Sequence, residues 1–327
     1  MADKSETGLI CAFQIDAQGA AHARTLAQID RRSFESEGWL WVHLDRAQDE
    51  TLRWLEAESG LPDTAIRAIM EEETRPRCVP MGDGALLIFR GVNMNPAADP
   101  HDMISIRLWI TDRAVVSTRR YKLLAVQDIR DAFESGAGPR TVGELLVMLS
   151  DGLISRMAQV IERLDERLEA LEYEVEALDA KAARAELVSV RQAIIPLRRY
   201  LAPQRDALLQ LGAIRADWLA DADRAQLKEA ADRITRFVED LDAMREHATL
   251  VNDALSARLD EQMNRTMFVL SIVAAIFLPL GLLTGLLGVN VAGMPGASNP
   301  AAFWIVCGLL VALAAVQLWL FRRLKLF

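Results

Sequence analysis

Two stretches near the C-terminal end constrain this chain more than anything else in it. Met267 to Leu287 is a run of about 21 residues without a charge, and Ala301 to Phe321 is a second. Each matches the roughly 20 apolar residues that cross about 30 Å of hydrocarbon. A single run of this kind could be a buried core helix. Two in succession, the second closed by Arg322-Arg-Leu-Lys325, read as transmembrane helices. Positive residues favour the cytoplasmic side. Arg265 precedes the first span, Arg322, Arg323 and Lys325 follow the second, and Gly288 to Pro300 carries no charge. Both termini are therefore expected inside, with only the short loop outside. The start, Met1-Ala-Asp-Lys-Ser-Glu-Thr-Gly8, has no apolar h-region, so no secretory signal is expected.

Charge is divided between the two parts of the chain. The whole carries −9, yet from Met267 onward there is no acid and there are three bases. The negative excess lies entirely in the soluble part. That argues against nucleic acid as a partner and for cations, or else simply keeps a cytoplasmic domain soluble. The cysteines Cys11, Cys78 and Cys307 are odd in number and far apart, so neither a disulfide framework nor a CxxC metal site is indicated. No constellation calls for an enzyme mechanism, and no catalytic residue or cofactor is expected.

The soluble part opens as α+β. Leu9 to Asp16 and Trp39 to Asp45 are rich in aromatic and branched residues, as strands are. Asp49 to Ser59 has helical spacing, and a second helix runs to Glu72 after Gly60-Leu-Pro62. Further strands are expected at Arg77 to Met81, Ala85 to Asn93, Met103 to Thr111 and Ala114 to Arg119, separated by turn-forming residues. The expectation is a mainly antiparallel sheet flanked by helices.

After Pro139 the pattern becomes that of long, coiled helices. Thr141 and Glu144 make a capping-box start. Leu164, Leu168, Leu171, Val175 and Leu178 keep the three-four spacing of a helix packed on another helix. Between them stand Glu162, Asp165, Glu166, Glu169, Glu172, Glu174, Glu176 and Asp179. Such a face is solvated, or it attracts divalent cations. Pro196 and Pro203 should kink or break the next helix. Ala213 to Leu278 has no Gly and no Pro, so one long helix is expected to run into the apolar tail, interrupted near Ala220-Asp-Ala-Asp223. The expected division is 1–138 for the cytoplasmic α/β domain and 139–222 for long cytoplasmic helices. Then come a stalk helix continuing into the first span (223–288), an outer loop (289–300), the second span (301–321) and a basic tail (322–327).

Two helices cannot enclose a watery path, so a chain of this plan is an anchor or assembles with its own copies. Three-four steps from Asn264 collect Met267, Ser271, Ala274, Leu278, Gly281, Gly285 and Gly288. This stripe is smaller and more polar than its surroundings, and Gly281 with Gly285 is a small-xxx-small pair. Periodicity alone leaves two readings, tight helix packing and a lined conduit.

Gln262-Met-Asn264, Ile276-Phe-Leu-Pro-Leu280 and Gly285-Leu-Leu-Gly-Val-Asn290 narrow the choice. Together they resemble the CorA family of divalent-cation transporters, which place a Gly-Met-Asn tripeptide at this position. Here Val289 replaces the Met, and the loop Val-Ala-Gly-Met-Pro-Gly296 lacks an acidic residue. That variant looks like the ZntB-type zinc transporters of bacterial inner membranes. So do Arg75-Pro-Arg-Cys78, Leu87-Ile-Phe-Arg-Gly-Val-Asn-Met-Asn-Pro96, Met103-Ile-Ser-Ile-Arg-Leu-Trp109 and Leu197-Arg-Arg-Tyr-Leu-Ala-Pro-Gln-Arg-Asp206. The resemblance implies a homopentamer in the lipid bilayer of the inner membrane. The first span would line a central pore, with Gly288, Val289 and Asn290 as a ring for hydrated cations. It implies zinc as cargo, with proton-coupled uptake as a candidate mode. A magnesium, cobalt or nickel channel of the CorA type is the alternative, and a membrane-anchored scaffold or signalling protein is the alternative from another class. Asn290 by itself is also an ordinary turn residue. The residues alone support a hydrated divalent cation. Zinc is usually bound directly by N or S ligands, and His22, His43, His101 and His247 form no close pair in sequence.

Overall fold

Aromatic and β-branched alternation draws seven strands into one sheet: β1 (Leu9–Ile15), β2 (Ala21–Ala23), β3 (Trp39–Asp45), β4 (Arg77–Met81), β5 (Gly84–Gly91), β6 (Ile104–Ile110) and β7 (Ala114–Arg119). The computed structural model describes residues 8–34, 37–72, 74–174, 180–289 and 299–323. The sheet order is β2-β1-β3-β7-β6-β5-β4. β3 and β7 run parallel, and the other neighbours are antiparallel. The sheet is thus mixed, and mainly antiparallel as expected. A parallel pair needs a long crossover, and the chain between β3 and β7 supplies two helices and three more strands.

Helices cover both faces. α1 (Asp49–Ala57) and α2 (Asp63–Met70) bury Trp54, Leu55, Ile66 and Ile69 against Leu40, Val42, Leu44, Leu86, Ile88, Trp109 and Val116. On the other face Phe133 of α3 (Leu124–Glu134) stacks on Phe13 at 5.0 Å between centroids and meets Trp41 at 5.6 Å. α4 (Val142–Glu174) and α5 (Ala180–Ala213) both pack on β5, and α5 also packs on β4. β2 and α3 were not expected.

The start of α4 follows its sequence signal with one change. Glu144 N–H donates to Thr141 Oγ1 at 3.1 Å, but Glu144 Oε2 accepts from Arg140 N–H at 2.6 Å, one residue earlier than in a capping box. Leu164, Leu168 and Leu171 are buried, while Val175 and Leu178 lie outside the described residues. Of the kink or break expected at Pro196 and Pro203, the break does not occur, and α5 continues through both. The carbonyls these prolines leave unbonded belong to Gln192 and Arg199. Both residues are exposed, so water can serve them, while Val190, Ala193, Ile194, Leu197 and Leu201 stay buried.

An interruption does separate α5 from α6 (Asp221–Leu287), which continues past Pro279 to the end of the first apolar run. α7 (Ala302–Arg323) is the second. The chain divides into two compact units, Met1–Asn252 and Asp253–Phe327.

Candidate functional site

The second unit shows where the stripe on α6 points. α6 and α7 each contain a window long and apolar enough to cross a membrane, with mean hydropathy 2.4 and 2.3 and no part of either window buried. Within the apolar run of α6 (267–287) the residues that lose some exposure are Ile272, Ile276, Pro279, Leu280 and Leu283, and those of α7 include Val306, Leu310, Leu313, Ala314 and Gln317. These are the facing sides, tied by Gln317 Nε2 donating to Ala275 O at 3.3 Å. At about 100° per residue, the stripe lies roughly half a turn from the side of α6 that meets α7. Asn264, Met267, Ser271, Ala274, Leu278, Gly281, Gly285 and Gly288 are all exposed. A Cβ added to Gly281 or Gly285 would meet nothing within 4 Å.

The last residues of this stripe lie at the C-terminal end of α6. Thr284 Oγ1 donates to Leu280 O at 2.9 Å and to Gly281 O at 3.1 Å. Gly288 N–H donates to Thr284 O at 2.9 Å and to Gly285 O at 3.2 Å, which closes the helix. A Cβ on Gly288 would sit 3.0 Å from Thr284 O, so glycine suits this close approach. Val289 is exposed. Asn290, the third member of the expected ring, lies outside the described residues. The C-terminal end of a helix carries partial negative charge and unpaired carbonyls, a setting favourable to cations.

In the first unit the acidic face of α4 meets α6. Glu162, Asp165, Asp240 and His247 line a cleft of about 480 Å³. Burial first, then Asp165 and Glu239, raise the pKa of the Asp240 carboxyl. His247 Nε2 lies 2.7 Å from Glu172 Oε2. Among the described residues no group of three or more His, Cys, Asp or Glu is placed to hold a metal ion. Cys307 is a half-exposed free thiol.

The convergence of the first unit's motifs on Arg90 is not visible in the sequence. Its guanidinium lies 4.0 Å over the Tyr200 ring, its Nη1 donates to Met103 O at 2.6 Å, and its backbone N–H donates to Gln204 Oε1 at 2.7 Å. The stretches Leu87–Pro96, Met103–Trp109 and Leu197–Asp206 therefore meet at one side chain. Nothing in their spacing along the chain signals that contact.

An α+β domain ahead of long helices and two terminal apolar helices defines a class of two-span membrane protein. Residues 36–323 match the family described as "CorA-like Mg2+ transporter protein". The chain belongs to that family. It is 40% identical over 322 residues to the divalent cation transporter CmaX of Pseudomonas aeruginosa, an alignment covering 98% of this chain and 97% of the relative. It is 36% identical over 320 residues to the zinc transport protein ZntB of Pectobacterium carotovorum, covering 98% and 96%. The structure of full-length CmaX matches with a TM-score of 0.82 at 37% identity, covering 99% of this chain and all of that one.

Proposed function

We propose that this protein transports divalent cations across the bacterial inner membrane as a homopentamer, with α6 of each copy lining a central path. Zinc is the first candidate cargo; magnesium, cobalt and nickel are the alternatives. Family membership and the names of the relatives support cation transport. The observation that carries the path is the open stripe on α6. Glycine in a helix costs about 1 kcal/mol relative to alanine, and within one chain no contact at Gly281 or Gly285 accounts for it. A second copy approaching closely, around an open axis, would.

In this reading Gly288, Val289 and Asn290 form the outer ring. Five neutral Asn290 side chains would hold a cation through its water shell, because divalent ions shed water reluctantly. The stripe from Asn264 to Gly285 offers no His, Cys, Asp or Glu that would trap the ion, and conduction requires that it leave as well as enter. Neither span holds a His, Asp, Glu, Lys or Arg, so a proton-coupled mode would use water or cytoplasmic carboxylates. Both termini would be cytoplasmic.

The test replaces the three native cysteines and places one cysteine at Ser271 or at Ile276. A charged thiol reagent reacts only where water reaches. The expected result is that it blocks zinc uptake through Ser271→Cys and leaves Ile276→Cys, on the side facing α7, untouched. Equal reactivity at the two positions, or none at Ser271→Cys, would overturn the proposed lining.

A further inference from the structure

The first span contains a break in its own hydrogen-bond ladder. Pro279 lies inside α6 and has no N–H. The carbonyl four residues earlier, Ala275 O, therefore has no intrahelical donor. In water such a group would be solvated, but in hydrocarbon an unbonded carbonyl is costly. The partner it receives is the side-chain amide of Gln317 on α7, donating from Nε2 at 3.3 Å.

Gln317 is itself an expensive residue for this place. Its Oε1 is buried and has no hydrogen-bond partner among the described residues. Leucine or methionine would pack there without leaving an orphaned oxygen. The amide has a use only through its other end. Ala274 of the exposed stripe directly precedes Ala275 and Leu278 directly precedes Pro279, so unwinding between Ala275 and Pro279 would displace both.

We propose that Gln317 is a positioning residue for the ion path, supplying Ala275 O with the hydrogen bond that Pro279 removes from the first span. It acts as an external clasp on the proline break and couples the two spans at that point. The part of this inference that concerns flux rests on the transport reading. The part that concerns the helix does not.

The experiment uses full-length protein in lipid nanodiscs and proteoliposomes, as wild type, Gln317→Met, Pro279→Ala and the double variant. Methionine keeps the size of the side chain and removes the donor. Pro279→Ala restores the N–H, so that Ala275 O is bonded within its own helix. Hydrogen exchange of residues 272–284 is followed by mass spectrometry, and zinc uptake is measured in parallel. Interhelical hydrogen bonds in membranes are modest, so exchange in Gln317→Met should rise about threefold to tenfold, with a similar fall in uptake. In the Pro279→Ala background the same change should alter neither. Wild-type exchange in Gln317→Met would overturn the clasp, and so would an equal effect with and without Pro279. If Gln317→Met does not assemble, the double variant decides. Its assembly supports the clasp, and its failure overturns it. If exchange follows the prediction while wild type moves no divalent cation, the clasp stands and the transport reading falls.

Discussion

His43 shows how one buried side chain links the sheet to solution conditions. It is fully buried on β3, with Nδ1 2.8 Å from Ser117 Oγ. The same hydroxyl accepts from Trp41 Nε1 at 2.9 Å and donates to Val42 O at 3.2 Å. Nε2 is buried without a partner among the described residues. Burial first, and the Arg119 charge second, hold the His43 pKa well below the ordinary 6.5. The folded chain therefore keeps the ring neutral where the unfolded chain binds a proton. Stability from this group is fully present above about pH 6.5 and declines as pH falls below it, by up to about 1.4 kcal/mol per pH unit. Melting of the detergent-solubilised protein between pH 7.5 and 5.0 should show this acid slope, and His43→Gln should flatten it. An unchanged slope in the variant would contradict the assignment. The strand itself was legible, because Trp39 to Asp45 alternates aromatic and branched residues. The buried state of its histidine was not, since it depends on Ser117, far away in sequence and on a parallel neighbour.

Among the elements, close helix packing is set by small residues. Gly143 in the first turn of α4 lies against Asp223 of α6, and a Cβ there would collide with Asp223 Oδ2. That oxygen, at the third position of α6, accepts from the backbone N–H of Ala220 just before the helix at 3.2 Å, as the third residue of a capping box does. Alanine is the better helix former, but here overpacking decides. Gly143→Ala should lower stability by about 1–3 kcal/mol, seen as a lower melting temperature. An unchanged or raised melting temperature would show that α6 can shift at no cost. Several elements could be read from the sequence with matching ends, β3, β4 and β7 among them, because turn residues bracket them. β2 escaped notice because it is three residues long and largely exposed. α3 escaped although Val126, Ile129 and Phe133 keep helical spacing and are buried. Of the kink or break expected at Pro196 and Pro203, the break does not occur, because water can reach the carbonyls these prolines free. The same rule, applied where water is absent, singles out Gln317 beside Pro279.

At the scale of the whole molecule, the spans and the stripe were legible from composition and three-four periodicity alone. That the stripe turns away from α7 was not, because it depends on how two helices distant in sequence face each other. In the proposed assembly that orientation would leave the small, polar face of each chain to other copies. In the proposed pentamer the Gly288-Val289-Asn290 ring is the sharpest consequence. Asn290 has an uncharged carbonyl and amide, with which five copies would grip a hydrated ion. The direct test is uptake of zinc, nickel, cobalt and magnesium into proteoliposomes by wild type and Asn290→Ala, with native mass recorded for both. The account predicts pentamers in both cases, saturable uptake of at least one divalent cation by wild type, and a loss of about tenfold or more in the variant, on the scale of about 1.4 kcal/mol per decade. Wild-type uptake by an intact Asn290→Ala pentamer would place selection elsewhere. An assembled wild type that moves none of the four ions would contradict the account at its centre.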